Sequence, residues 1–227
     1  MLQVRFAALA ATSLMLLGCA SAEHRVKSDP LEPMNRTVYR FNDAVDRAAL
    51  KPAAKAYVKY TPDWFRTGVG NFFTNLSGPT TIVTQLLQGK VVPAGQDTLR
   101  FVINTTLGWG GLFDVASGAS LPQHNEDSGP TLGRWGVPAG PYLVLPLMPP
   151  LTVRDGIGTG VDGAMHPLYY YIPFFPDAFG MRVGDTVNDR SLNLDLFQGI
   201  EESTVDLYSS VRNGYLQRRN RMIKEGK

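Results

Sequence analysis

The chain of 227 residues has a single cysteine, Cys19, which excludes an internal disulfide and a thiolate metal cluster. Histidine is nearly as scarce. His24, His124 and His166 share no metal-ligand spacing, and there is no HExxH. No serine sits in a GxSxG elbow, so a common α/β-type lipase is not expected. The carboxylate pairs Glu126–Asp127 and Asp155/Asp162 suit turns and solvated faces far better than acid–base chemistry. Charge of one sign is also lacking: the formal net charge is +2, which gives no support to nucleic-acid binding. Charged residues make up 19% of the chain against the roughly 25% usual in soluble domains. Apolar surface facing lipid or a partner is the natural explanation for that shortfall.

One apparent motif is rejected. Gly158-Thr159-Gly160-Val161-Asp162-Gly163 matches GxGxxG, but Pro167 stops any helix four residues later. A dinucleotide site needs a preceding strand and a long following helix. Lys90 follows Gly89 without the upstream glycine of a phosphate loop. No catalytic constellation emerges, and neither a metal nor a resident cofactor is expected.

What is present starts at the N-terminus. Arg5 precedes the uncharged run Phe6–Leu17, which ends in Leu16-Leu17-Gly18-Cys19. That run is too short to span a bilayer, which takes about 20 residues, and suits a signal-peptide core. The order of apolar run, small residue and cysteine matches a bacterial lipobox. Residues 1–18 are therefore expected to be a cleaved signal, and Cys19 to carry a covalent N-acyl diacylglyceryl lipid. Residues 19–28 read as a lipidated tether and 29–227 as one domain. Ala20 after the cysteine, in place of Asp, favours the outer membrane of a Gram-negative cell.

Beyond the tether the pattern is all-α: short helices with Gly/Pro-rich connections. Helices are expected over Leu31–Ala48, Pro52–Tyr60, Pro62–Leu76, Gly78–Gly89, from Pro93 through Ile103, and over Arg154–Met165 and Asp177–Arg190. One long helix is expected over Gln198–Lys224, with an exposed basic end from Gln217. Residues 118–150 are punctuated by glycine and proline, and within them Tyr142–Leu145 could be a strand but reads as an extended, packed connection. No segment after the signal is a transmembrane helix. Aromatic faces, as at Trp64–Leu76 and Leu168–Phe175, suit helices lying in the plane of a membrane. Periodicity alone favours the alternative that they form a soluble core.

Several ordered stretches resemble the MlaA (VacJ) lipoprotein family. Asp29-Pro30-Leu31-Glu32-Pro33-Met34-Asn35-Arg36 with Phe41-Asn42 resembles its first signature. Asn71-Phe72, Asn75-Leu76 and Pro79 resemble the second. Leu87-Gln88-Gly89, Arg100-Phe101, Asn104-Thr105 and Leu107-Gly108-Trp109-Gly110-Gly111 through Ala116 resemble the third. Thr131–Val137, Gly140-Pro141-Tyr142 and Leu151–Asp155 complete the likeness, which covers roughly residues 29–215.

The resemblance implies a single ring-like domain of short amphipathic helices, embedded in the inner leaflet of the outer membrane around a central amphipathic channel. It implies removal of phospholipid that has strayed into the outer leaflet, delivery to a periplasmic MlaC-like carrier, and association with a trimeric porin. That is transport and not an enzymatic reaction. The competing reading is a structural lipoprotein or porin accessory without transport. Arg154 and Asp155 are candidates for a headgroup path, because a cation beside apolar segments attracts phosphate. Gly156, Gly158, Gly160 and Gly163 are candidates for a gating hinge. Phe41 and Asn42 are candidates for controlling the closed state.

Overall fold

The computed structural model describes residues 29–166 and 175–224. Cys19, the tether and most of Leu168–Phe175 lie outside the described residues. Eleven α-helices, one π-helical turn and one hairpin of two-residue strands are found among the described residues. The expectation of an all-α fold is met.

The first signature builds the first helix. Asp29 is fully buried, and its side chain accepts from the Leu31 N–H at 3.2 Å and from Asn35 Nδ2 at 3.2 Å. These contacts fix the entry to α1 (Glu32–Val45), where Pro33 fills a first-turn position that lacks an N–H partner anyway. A π-helical turn, Asp46–Leu50, joins α1 to α2 (Lys51–Tyr60) without a break. The wider turn stands just before Pro52, whose ring would crowd the carbonyl of an ordinary α-turn.

Pro62 ends the rod, and α3 (Asp63–Leu76) and α4 (Gly78–Leu87) follow. Then come α5 (Val91–Thr106) and the short α6 (Val115–Gly118). The turn between α5 and α6 needs glycine at position 111. Its φ is +98°, and a Cβ there would stand 2.4 Å from Asn75 Cβ. Helix α7 (Ser128–Arg134) lies inside the Gly/Pro-punctuated segment 118–150, where the sequence pattern points to no helix. Asp127 caps it, accepting from the Gly129 N–H at 2.9 Å. The strands β1 (Tyr142–Leu143) and β2 (Leu151–Thr152) pair antiparallel, Tyr142 opposite Thr152. They bracket the proline-rich loop that had read as a simple extended connection.

Thr152 caps α8 (Val153–Met165) by accepting from the Asp155 N–H. The chain ends in α9 (Phe175–Leu192), α10 (Leu194–Ser203) and α11 (Leu207–Lys224). The expected single helix over Gln198–Lys224 is broken at Thr204–Asp206. There Thr204 is extended and Asp206 accepts from the Ser209 N–H, starting a new helix.

Packing runs in a closed circuit. The α1–α2 rod packs on α9, α9 on α3, α3 on α4, α4 on α7, and α7 on α11. Helix α11 returns to α1, where Arg36 holds Asp206 at 2.7 Å and the Tyr39 and Tyr208 rings meet edge to face.

Candidate lipid-facing site

Several helices are amphipathic in the reverse of the usual sense. On α4, Thr80, Thr81, Thr84 and Gln85 are buried, while Val83, Leu86 and Leu87 are exposed. On α5, Asp97, Arg100 and Asn104 are buried, while Val91, Val92, Leu99 and Val102 are exposed. On α8, Arg154, Asp155 and Gly158 face in, and Val153, Ile157 and Val161 form an outward stripe at i, i+4, i+8. Among the described residues only six apolar side chains are buried against twenty polar or charged ones. Trp64, Leu107 and Trp109 are 66%, 67% and 77% exposed. Continuous apolar surface on this scale marks contact with a membrane or a partner. The expectation that these faces form a soluble core is therefore corrected. Periodicity finds the apolar stripe but is blind to which side of it faces the protein. No helix among the described residues is long and apolar enough to cross a membrane.

The inward faces are joined by polar networks. Arg100 grips Asp114 through one guanidinium nitrogen at 2.8 Å to each carboxylate oxygen, and Asn104 adds a bond at 2.9 Å. Burial pushes the Asp114 carboxyl up, but Ser117, Asn104 and Arg100 more than offset it and hold it below the usual range. Gln85 donates to Asp97 at 2.6 Å, and Asp97 also meets His124 at 3.0 Å. Asn35, fully buried, donates to the Tyr142 carbonyl at 2.9 Å and accepts from the Val144 N–H at 3.0 Å. One side chain thus pins α1 to the hairpin, and Tyr208 and Arg212 of α11 meet at the same Asp29.

The predicted site residues divide. Arg154 and Asp155 are brought together, but against each other and out of solvent, 5% and 2% exposed. Tyr215 donates to Asp155, and Arg219 stands 3.6 Å away while also pairing with Asp127. The open cation that a phosphate would seek is absent at Arg154, which instead packs across Gly133 of α7. Arg219 also corrects the expectation that the basic end of α11 is wholly exposed.

The four glycines lie inside the continuous helix α8. Gly158 is a contact point: a Cβ there would stand 2.5 Å from the Gly129 nitrogen of α7. Gly160 has open space around it. Asn42 reaches the loop between β1 and β2. Its amide donates to the Leu145 carbonyl at 2.9 Å and accepts from the Leu147 N–H at 2.8 Å, mimicking a strand partner for the loop. Leu147 lies at φ +58° and is exposed, as is Phe41 beside Asn42.

Sequence reasoning missed Asn35, Arg219 and the Gly129/Gly133 face of α7. The four-residue spacing of those two glycines was the available signal for a close helix crossing.

The comparisons with known proteins agree with this geometry. The profile of the MlaA lipoprotein family matches residues 27–222. The intermembrane phospholipid transport system lipoprotein MlaA of Escherichia coli (strain K12) is 35% identical over 99% of this chain and 91% of its own length. The protein of that name from Haemophilus influenzae is 33% identical, covering 95% and 89%. A structure solved for the structural basis of maintenance of bacterial outer membrane lipid asymmetry is 36% identical. It superimposes with a TM-score of 0.78 over 87% of this chain and 100% of that one.

Proposed function

The chain belongs to the MlaA lipoprotein family, and on that premise we propose that it serves intermembrane phospholipid transport and so maintains outer-membrane lipid asymmetry. The observation that carries this reading is the reversed amphipathicity of α4, α5 and α8. Apolar side chains turned outward on short helices need hydrocarbon around them. With no spanning helix, an in-plane position in one leaflet satisfies them. The closed circuit of packing gives the ring that a central channel requires, and the buried polar networks hold its helices together. Phospholipid taken from the outer leaflet passes through that channel to a periplasmic MlaC-like carrier, with a trimeric porin holding the protein in place.

Cys19 acylation anchors the tether at about 0.8 kcal/mol per buried CH₂, so several chains hold firmly. Arg154 and Asp155 contribute by fixing the corner between the hairpin, α7 and α11. The loop held by Asn42 acts as the gate, and the glycines of α8 supply its hinge.

The test is complementation of a deletion strain, read by membrane-impermeant amine labelling of surface phosphatidylethanolamine. The wild-type chain is expected to restore low surface labelling, and Cys19→Ser to fail through mislocalisation. A properly located wild-type chain that leaves surface phospholipid unchanged favours the structural-accessory reading. Asn42→Ala removes both bonds to the loop, at a cost of about 1–3 kcal/mol. It is expected to leave the fold intact and alter surface labelling in the same assay. Unaltered labelling would remove Asn42 from the gate.

A further inference from the structure

Between α2, α3 and the α9–α10 junction lies a cleft of about 410 Å³, within the size range of small-ligand sites. Asp63, Arg66 and Thr67 form one wall, and Ser191 and Asp195 stand on the other. Arg66 is 9% exposed, and its polar partner is Asp63, whose carboxylate is 91% exposed. A pair with one member in water contributes little. The buried guanidinium is therefore poorly matched, and its Nε has no acceptor among the described residues. Arg190 also has one nitrogen without an acceptor, but the buried arginines Arg100, Arg154 and Arg190 face carboxylates that are themselves mostly buried, Asp114, Asp155 and Asp46. On the facing wall, Asp195 is exposed and engages no cation or donor among the described residues.

One under-neutralised cation with a carboxylate on each wall fits neither a simple anion nor a simple cation. It fits a zwitterion. The surroundings indicate where that zwitterion comes from. Tyr60, Trp64 and Phe65 are exposed at the α2–α3 corner, Leu192 is exposed where it lines the opposite wall, and Leu196 is exposed next to Asp195 in the chain. Trp64 and Phe65 meet edge to face at 5.7 Å. Exposed Trp and Tyr with a neighbouring lysine, here Lys59 over the Tyr60 ring at 5.4 Å, sit at the headgroup level of membranes.

We propose that this cleft seats the phosphoethanolamine headgroup of an aminophospholipid. The phosphate lies on Arg66 and the Thr67 hydroxyl, and the ammonium lies between Asp195 and Asp63. The acyl chains run over the exposed aromatic and aliphatic lips. The seat is separate from the Arg154–Asp155 corner, and it rests on the reading of the chain as embedded in one leaflet. Phosphatidylglycerol offers the phosphate without the ammonium and leaves the carboxylates unanswered, so the site discriminates against it.

The test uses the full lipoprotein in nonionic detergent, titrated by native mass spectrometry. The ligands are phosphatidylethanolamine and phosphatidylglycerol of matched chains, with soluble glycerophosphoethanolamine as a third arm. The wild type is expected to favour phosphatidylethanolamine by about tenfold, the worth of one charge-assisted hydrogen bond. Asp195→Asn, at an exposed position, is expected to abolish that preference while still binding both lipids. Arg66→Gln is expected to weaken both. An unchanged preference in Asp195→Asn overturns the proposal, and so does competition by the soluble headgroup as strong as by the lipid. A wild type that clears surface phospholipid in cells but shows no headgroup preference overturns the seat and leaves transport standing. The opposite pair of results upholds the seat and removes transport.

Discussion

Replacing Asp155 with asparagine is expected to destabilise the fold by about 3–5 kcal/mol, the usual cost of breaking a buried ion pair from one side. The carboxylate is the meeting point of two helices. It faces Arg154 of its own helix at 3.0 Å and accepts from Tyr215 of α11, with Arg219 alongside. Asparagine leaves the Arg154 guanidinium buried without a counter-charge and offers Tyr215 an amide that matches only half of its acceptor role. The pH dependence gives the sign. Burial pushes the Asp155 carboxyl up, but Tyr215, Arg219, Thr152 and Arg154 together outweigh it and hold it below its ordinary value. A depressed folded-state value stabilises above the unfolded-state value, near 4, and that stabilisation is lost as pH falls through the folded one. The gap between wild type and Asp155→Asn should therefore be full at pH 7 and close in acid. Burial, with the neighbouring carboxylate, also pushes the Tyr215 hydroxyl up to about 12, so it remains a donor throughout. Unfolding in detergent followed by circular dichroism at both ends of that range checks the result. A difference at pH 7 below about 1 kcal/mol would mean the network is not structural.

The second large effect separates two glycines of one helix. Gly158→Ala is expected to cost about 1–3 kcal/mol, because the added methyl meets the backbone of α7 and no flexible side chain can yield. Gly160→Ala meets nothing and should stabilise α8 by up to about 1 kcal/mol. The pair also tests the proposed hinge. If α8 bends during transport, Gly160→Ala should slow phospholipid removal although the protein is more stable. Full activity in the stiffened variant would leave α8 as a rigid wall of the ring, with Gly158 serving only the close crossing.

What the sequence made legible was punctuation. Pro62-Asp63 and Gly78-Pro79 announce α3 and α4 because proline and glycine have fixed consequences for the backbone. The same residues hid α7, where Gly129, Pro130 and Gly133 look like loop and are in fact the means of a tight helix contact. The break before α11 was hidden for a different reason. Asp206 caps the new helix through Ser209 three residues on, a short local signal that the apolar periodicity on both sides of it obscures, and Arg36 of α1 then holds the cap in place. Arg154 and Asp155 stand out in the sequence as charges beside apolar segments, but adjacency cannot reveal that they close on each other and on α11. Orientation was least legible: the stripes on α4 and α5 are plain in the sequence, and the side on which the protein lies is not.

The circuit of helices has a kinetic corollary. Helix α11 bonds both to Asp29, just ahead of α1, and to Asp155 of α8. Such contacts join distant parts of the chain and form slowly. Until they form, the ring stays an open arc, and Asp29 and Asp155 have only the partners their own neighbourhoods supply. Clearance of misfolded copies by proteases should therefore follow the docking of α11 more closely than the formation of any other helix.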